Sequence, residues 1–332
     1  MRRAVVVILL AGGLLAGCTG AGDPLRVAEG TPAAPAAAPE PTVSPAGRVL
    51  PAGADAAAVA VLAGGRRLAV DTREAIVLLD VAGGAPAERI TVAAQVRAIA
   101  ALPGGGFRAV AGDRLVSDVN GNRSTWSLPG PASGLAVLDD GTTAVALPDQ
   151  GSVVVLDASG ATVRTLATGG RPTAVAATGV AVVGGGPPRI AVVDAARSTL
   201  TVFRTDTGAR EETLRAGDGA TSVVGDETGR LYVTDTRDGE LLIFSTGPLV
   251  LRQRYPVRGA PFGLAYQKTN RTIWVTSTAR NELLGFDVTG GTPREVSRHA
   301  TARQPDAVAV EPDGGTLAVA GRAEGVVQVI GA

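Results

Sequence analysis

From Arg303 to Ile330 the chain reads RQPDAVAVEPDGGTLAVAGRAEGVVQVI. Apolar residues alternate or run in fours and fives, and Gly, Asp and Pro bound each run. That pattern predicts three short strands, DAVAVEP, TLAVAG and GVVQVI, joined by tight turns. The same unit occurs six more times upstream. The second strands fall at Leu68 (RRLAVD), Arg108 (GFRAVA), Ala144 (GTTAVAL), Ile190 (PRIAVVD), Leu231 (GRLYVTD), Ile273 (RTIWVTS) and Leu317 (GTLAVAG). The third strands that follow are AIVLLDV, RLVSDV, SVVVLDA, TLTVFRT, ELLIFST, ELLGFDV and VVQVIGA. Copy four is the least regular, because Ala174–Val183 has room for one inner strand or two.

Seven strand hairpins at a spacing of about forty residues predict an all-β, seven-bladed β-propeller over residues 47–332. Ala, Val, Leu and Ile must build the core, so each strand buries little area, and closure and repetition must supply the stability. The last copy has no outer strand after VVQVI. Arg48-Val49-Leu50-Pro51-Ala52-Gly53 precedes Val59 as Arg164-Thr165-Leu166-Ala167-Thr168-Gly169 precedes Val175. The first strand is therefore expected to close the ring against the last three, burying Val49 and Leu50 and removing an open edge.

Composition fits this picture and excludes others. Gly at 45 and Pro at 21 suit a chain that turns every few residues, and a 45% hydrophobic content is too high for disorder. The 31 basic and 31 acidic residues leave no surplus for phosphates, so nucleic acid is not an expected partner. One cysteine and one histidine allow neither an internal disulfide nor a Cys/His metal cluster. His299 falls in the predicted outer strand REVSRHA, no GxSxG elbow is present, and a Ser-His-Asp triad has no second histidine to use. Gly104–Gly106 and Gly184–Gly186 lack the strand-to-helix setting and the lysine of a phosphate loop.

Met1-Arg2-Arg3 and the apolar run Ala4–Leu15 predict an export signal over residues 1–17, too short to stay as a membrane-spanning helix. The run ends in Leu15-Ala16-Gly17-Cys18, which resembles the lipobox of bacterial lipoproteins. The resemblance implies cleavage before Cys18, a lipid thioether on its sulfur and acylation of the new N-terminus. At about 0.8 kcal/mol per buried CH₂, two or three chains would hold the protein to membrane lipid on the extracytoplasmic face. Residues 18–46 read as a linker. Pro32, Pro35, Pro39, Pro41 and Pro45 predict an extended, semi-rigid segment that holds the folded body away from the lipid.

Leu231-Tyr232-Val233-Thr234-Asp235 and Ile273-Trp274-Val275-Thr276-Ser277, each followed by an apolar strand, resemble the YVTN β-propeller repeat. That group includes YncE-like and lactonase-like seven-bladed proteins. A propeller binds at its channel mouth, on the loops leading into the inner strands. Polar residues there, Asp55, Arg171, Arg258, Arg303 and Gln304, are the candidate ligand-binding set. Pro172, Pro261 and Pro305 beside them fix the backbone before a strand. Asp235, Asp238 and Glu240 superficially resemble an oxygen-rich calcium loop, but Arg237-Asp238-Gly239 reads first as a turn. Asp139-Asp140-Gly141 and Pro312-Asp313-Gly314 read the same way.

The expected function is a binding or scaffolding module for a protein or cell-envelope ligand, with no catalytic residue, metal or cofactor assigned. The alternative is a lactonase-like hydrolase with a divalent metal held by carboxylates in the channel.

Overall fold

The second and third strands of every copy lack a polar face because each is covered on both sides. Leu68–Asp71, Ala75–Leu79, Thr143–Leu147 and Ser152–Leu156 are buried at every position. Outer strands alternate instead, and Thr162–Ala167 buries only Leu166. A computed structural model describes residues 29–331 apart from 73–74, 84–85, 180–185 and 312–313. The expectations for the signal, Cys18, the Asp313 turn and Gly184–Gly185 lie outside the described residues.

Seven four-stranded antiparallel sheets follow one another along the chain. Blades one to six span 59–91, 96–127, 134–167, 174–215, 220–256 and 261–300; blade seven combines 305–331 with 48–51. In blade four the inner strand is Ala174–Ala177, paired with Arg189–Asp194. The sheets stack face to face, so the core divides into seven apolar clusters, one between each neighbouring pair of blades. Strand alternation distributes the side chains between them. Leu231 and Val233 pack toward blade four, while Tyr232 between them packs toward blade six.

The ring closes as expected. Arg48–Pro51 pairs antiparallel with the last strand, Arg48 opposite Val329 and Leu50 opposite Val327. Leu50 is buried among Val59, Leu68 and Val327. Val49 is not buried: it is 42% exposed. The outer strand of a blade has only one covered face, so period-two alternation sends Val49 outward.

The described part of the proline-rich segment forms no helix or strand up to residue 47, and it lies on the propeller. Gly30 N–H donates to Ala196 O in blade four (2.7 Å), and Ala46 N–H donates to Ala300 O beside blade seven (2.9 Å).

Candidate functional site

The loops leading into the inner strands and the turns between second and third strands share one face of the ring. A polar residue at the C-terminal end of the second strand ties the two together. In blade four, Asp194 accepts from the backbone N–H of Arg171 (2.8 Å) and Arg197 (3.1 Å). In blade five, Asp235 accepts from Asp218 (3.0 Å), Gly219 (2.9 Å) and Asp238 (3.2 Å). In blade six, Ser277 Oγ donates to the carbonyls of Arg258 (3.1 Å) and Gly259 (3.0 Å). A short side chain here satisfies loop backbone groups that no strand can reach.

Asp71, the equivalent residue of blade one, is less well supplied. It is 1% exposed, and among the described residues Oδ1 has no hydrogen-bond partner. Burial pushes its carboxyl up to about 7; the Ala57 N–H and the charges of Arg322 and Arg97 pull it down, and Asp55 adds to the rise. Asp306, at the start of the last inner strand, is also buried and raised by desolvation. Gln304 Nε2 donates to its Oδ1 (2.9 Å), and Arg322 lies 3.5 Å from Oδ2. Arg322 therefore acts on both acids, across the loops of blades seven and one.

Beside these acids the face holds its own N-terminal segment. Thr278 Oγ1 accepts from Ala36 N–H (3.1 Å), and Gln304 Nε2 donates to Ala36 O (3.0 Å). Gln304 Oε1 accepts from Ala38 N–H (2.9 Å), and Arg303 Nε donates to Ala38 O (3.2 Å). Asn281 Nδ2 donates to Pro39 O (2.9 Å) and Arg237 Nη2 to Thr31 O (2.9 Å). Ion pairs mark both ends, Arg197 with Glu29 (2.8 Å) and Arg303 with Glu40.

The five candidate residues do not converge. Arg303 and Gln304 grip the segment. Arg171 pairs with Asp149 on the surface (2.7 Å). Arg258 lines a cleft of about 240 Å³ with Tyr255, Arg280 and Arg298. Asp55 sits half-buried in its loop at φ +60°, within electrostatic reach of Asp71. Asp71, Asp306, Arg322, Thr278 and Asn281 were not singled out from sequence. The one available signal was the aspartate that ends RLAVD, AVVD and YVTD alike.

Asp235, Asp238 and Glu240 do bring carboxylate oxygens within 4.8 Å of one another. Each already has a partner: Asp235 accepts from three backbone N–H groups, and Glu240 and Asp238 each offer one oxygen to Arg254, at 2.6 and 3.3 Å. The group serves as turn scaffolding with an arginine as counter-ion. His299 lies in the outer strand as expected, its ring tilted against Trp274 (centroids 5.9 Å apart) and bonded to Ser297 Oγ (2.8 Å).

The threonines of the two YVTN-like stretches have a structural explanation. Register shifts in the inner strands of blades five and six displace backbone groups from the ladder. Thr234 Oγ1 accepts from Ser222 N–H (3.2 Å) and donates to Phe262 O in the next blade (3.0 Å). Thr276 Oγ1 accepts from Gly263 N–H (2.8 Å). Thr276 thus mends the ladder within blade six, while Thr234 also ties blade five to blade six.

No known protein family matches the chain, and no curated sequence does. Solved structures match by fold. One is the hydrazine synthase of Kuenenia stuttgartiensis, 16% identical with a TM-score of 0.70, over 85% of this chain and 96% of that one. The fold is a seven-bladed β-propeller. Since 1301 solved chains match in this way, the likeness reports architecture and no activity.

Proposed function

We propose that the chain is an extracytoplasmic lipoprotein, anchored to membrane lipid through acylated Cys18, whose propeller is a binding or scaffolding module for a protein or cell-envelope ligand. A propeller suits such a role, since its loops offer a broad surface on a rigid ring. The observation that supports binding most directly is that the loop face holds an extended polypeptide through side chains of several blades. The anchor is supported by Leu15-Ala16-Gly17-Cys18 alone. Asp55, Arg171 and Arg258 are proposed to add polar contacts to a bound partner.

The hydrolase reading needs carboxylates with lone pairs open to a metal in the channel. Among the described residues, the one three-carboxylate group lies in a turn of blade five, where Arg254 pairs with two of its members and backbone N–H groups occupy the third.

Two measurements test the proposal. Cys18→Ala should move the protein from membrane to soluble fractions or leave it unprocessed; a normally lipidated, membrane-bound product would refute the anchor. Crosslinking in intact cells followed by affinity capture should recover a defined envelope partner. Recovery of no partner would remove the binding role.

A further inference from the structure

The hydrogen bonds to residues 30–39 are made to the backbone, and they follow a register. Ala36 and Ala38 each have both N–H and C=O engaged, as alternate residues of a strand would. Pro32, Pro35, Pro39 and Pro41 fall where no N–H is called for; Pro39 contributes only its carbonyl. A proline-bearing chain is already extended, so little conformational freedom is lost on docking.

The side chains of the segment are as small as the backbone contacts require. Ala38 is 6% exposed, so a larger residue there has no space.

The receiving side chains are also tied to one another. Gln304 and Asn281 both sit at positive φ, +61° and +52°. Non-glycine residues in that region carry strain of about 1–3 kcal/mol and concentrate at ligand clamps. Asn281 Oδ1 accepts from Gln304 N–H (3.1 Å), and Asp306 accepts from the Gln304 amide. The Gln304 amide is thereby held with one edge presented to the peptide unit it binds. Arg197 and Arg303 add an acid preference at either end.

We propose that the loops of blades four to seven form a binding groove for extended, proline- and alanine-rich polypeptide, with residues 29–41 as its exchangeable occupant in cis. A partner would then bind by displacing this segment with one of the same chemistry: proline flanking two small residues spaced by one, and a carboxylate at the end near Arg303. The proposal rests on the binding-module reading and is independent of the lipid anchor.

The test uses the full chain with a protease recognition sequence inserted between Val43 and Ser44, both exposed and upstream of the fixed Ala46. After cleavage, the segment should dissociate on dilution, and a fluorescent peptide of residues 29–42 should bind saturably in its place. Gln304→Ala removes two hydrogen bonds to the peptide and should weaken that binding by at least about tenfold. A peptide carrying Ala38→Phe should not compete. The proposal is overturned if the nicked segment stays bound through dilution and excess peptide. It is equally overturned if the labelled peptide does not bind, or binds the Q304A protein as tightly. Should Q304A fail to fold by circular dichroism, Asn281→Ala and the A38F peptide carry the same comparison. Membrane fractionation of the C18A protein is untouched by any of these results, so the groove and the anchor fail separately.

Discussion

Leu50 stands opposite Val327 in the last sheet, and this pairing makes the ring continuous. Leu50 is 3% exposed, whereas its neighbour Val49 points outward. Leu50→Ala should therefore cost about 2–5 kcal/mol, the range for a leucine lost from a packed core. Val49→Ala should stay within about 0.5 kcal/mol. Guanidinium unfolding of the two variants gives the comparison. Equal, small effects would mean that the ring does not depend on this strand.

Asp71 predicts a pH dependence whose sign is fixed by its environment. Its folded pKa, about 7, lies above the ordinary 3.8, so the folded state binds this proton more tightly than the unfolded chain. That contribution to stability is fully present below about pH 4 and disappears as pH rises through about 7, at no more than about 1.4 kcal/mol per pH unit. Asp71→Asn should flatten this part of the melting profile between pH 5 and pH 8 and stabilise the protein at pH 8 relative to the parent. Parallel curves for parent and variant would show that Asp71 is ionised at low pH like an exposed carboxylate.

Much of the architecture was legible because middle strands buried on both faces leave continuous apolar runs, as AIVLLD and SVVVL do. Val49 was misjudged for a related reason: an isolated apolar pair at an edge does not say how many of its faces are covered. Arg303 and Gln304 were found on the correct loop without their bonding partner. Proline and alanine encode extension, and docking depends on side chains distant in sequence, such as Thr278 and Asn281. Asp71 escaped notice because an aspartate at a strand end reads as a turn residue. Its missing hydrogen bond exists only in three dimensions.

Gly160 and Gly141, both in turns of blade three, have nearly equal φ of +82° and +81°. They differ in surroundings. A Cβ on Gly141 meets nothing, while one on Gly160 runs into the ring of Trp126 from blade two. That indole also lies against Arg108, which reaches Gly141 O (3.2 Å) and is itself buried. Gly141→Ala should cost only the left-handed penalty of about 1–2 kcal/mol. Gly160→Ala should cost clearly more, because Trp126 must leave its place between two blades. Thermal melts of both variants decide it, and equal losses would indicate that the Trp126 wedge yields freely.

Arg254 is the counter-ion of the blade-five carboxylates, bonded to Glu240 at 2.6 Å and Asp238 at 3.3 Å. Arg254 occupies an oxygen of each of these two carboxylates and Asp235 accepts from three backbone N–H groups, so a divalent ion would have to displace existing bonds before it could bind. Millimolar calcium or a chelator should therefore move the melting temperature of the unmodified protein by less than about 1 °C, well under what 1 kcal/mol of linked binding produces. Arg254→Ala leaves Asp238 and Glu240 with less compensation, so calcium should stabilise that variant more than the parent. A clear calcium shift in the parent would mean that an ion displaces Arg254, and the hydrolase reading would then regain a metal. Asp235→Ala separates scaffolding from charge. It should destabilise by about 1–3 kcal/mol with or without calcium, because three backbone donors lose their acceptor in a partly buried turn.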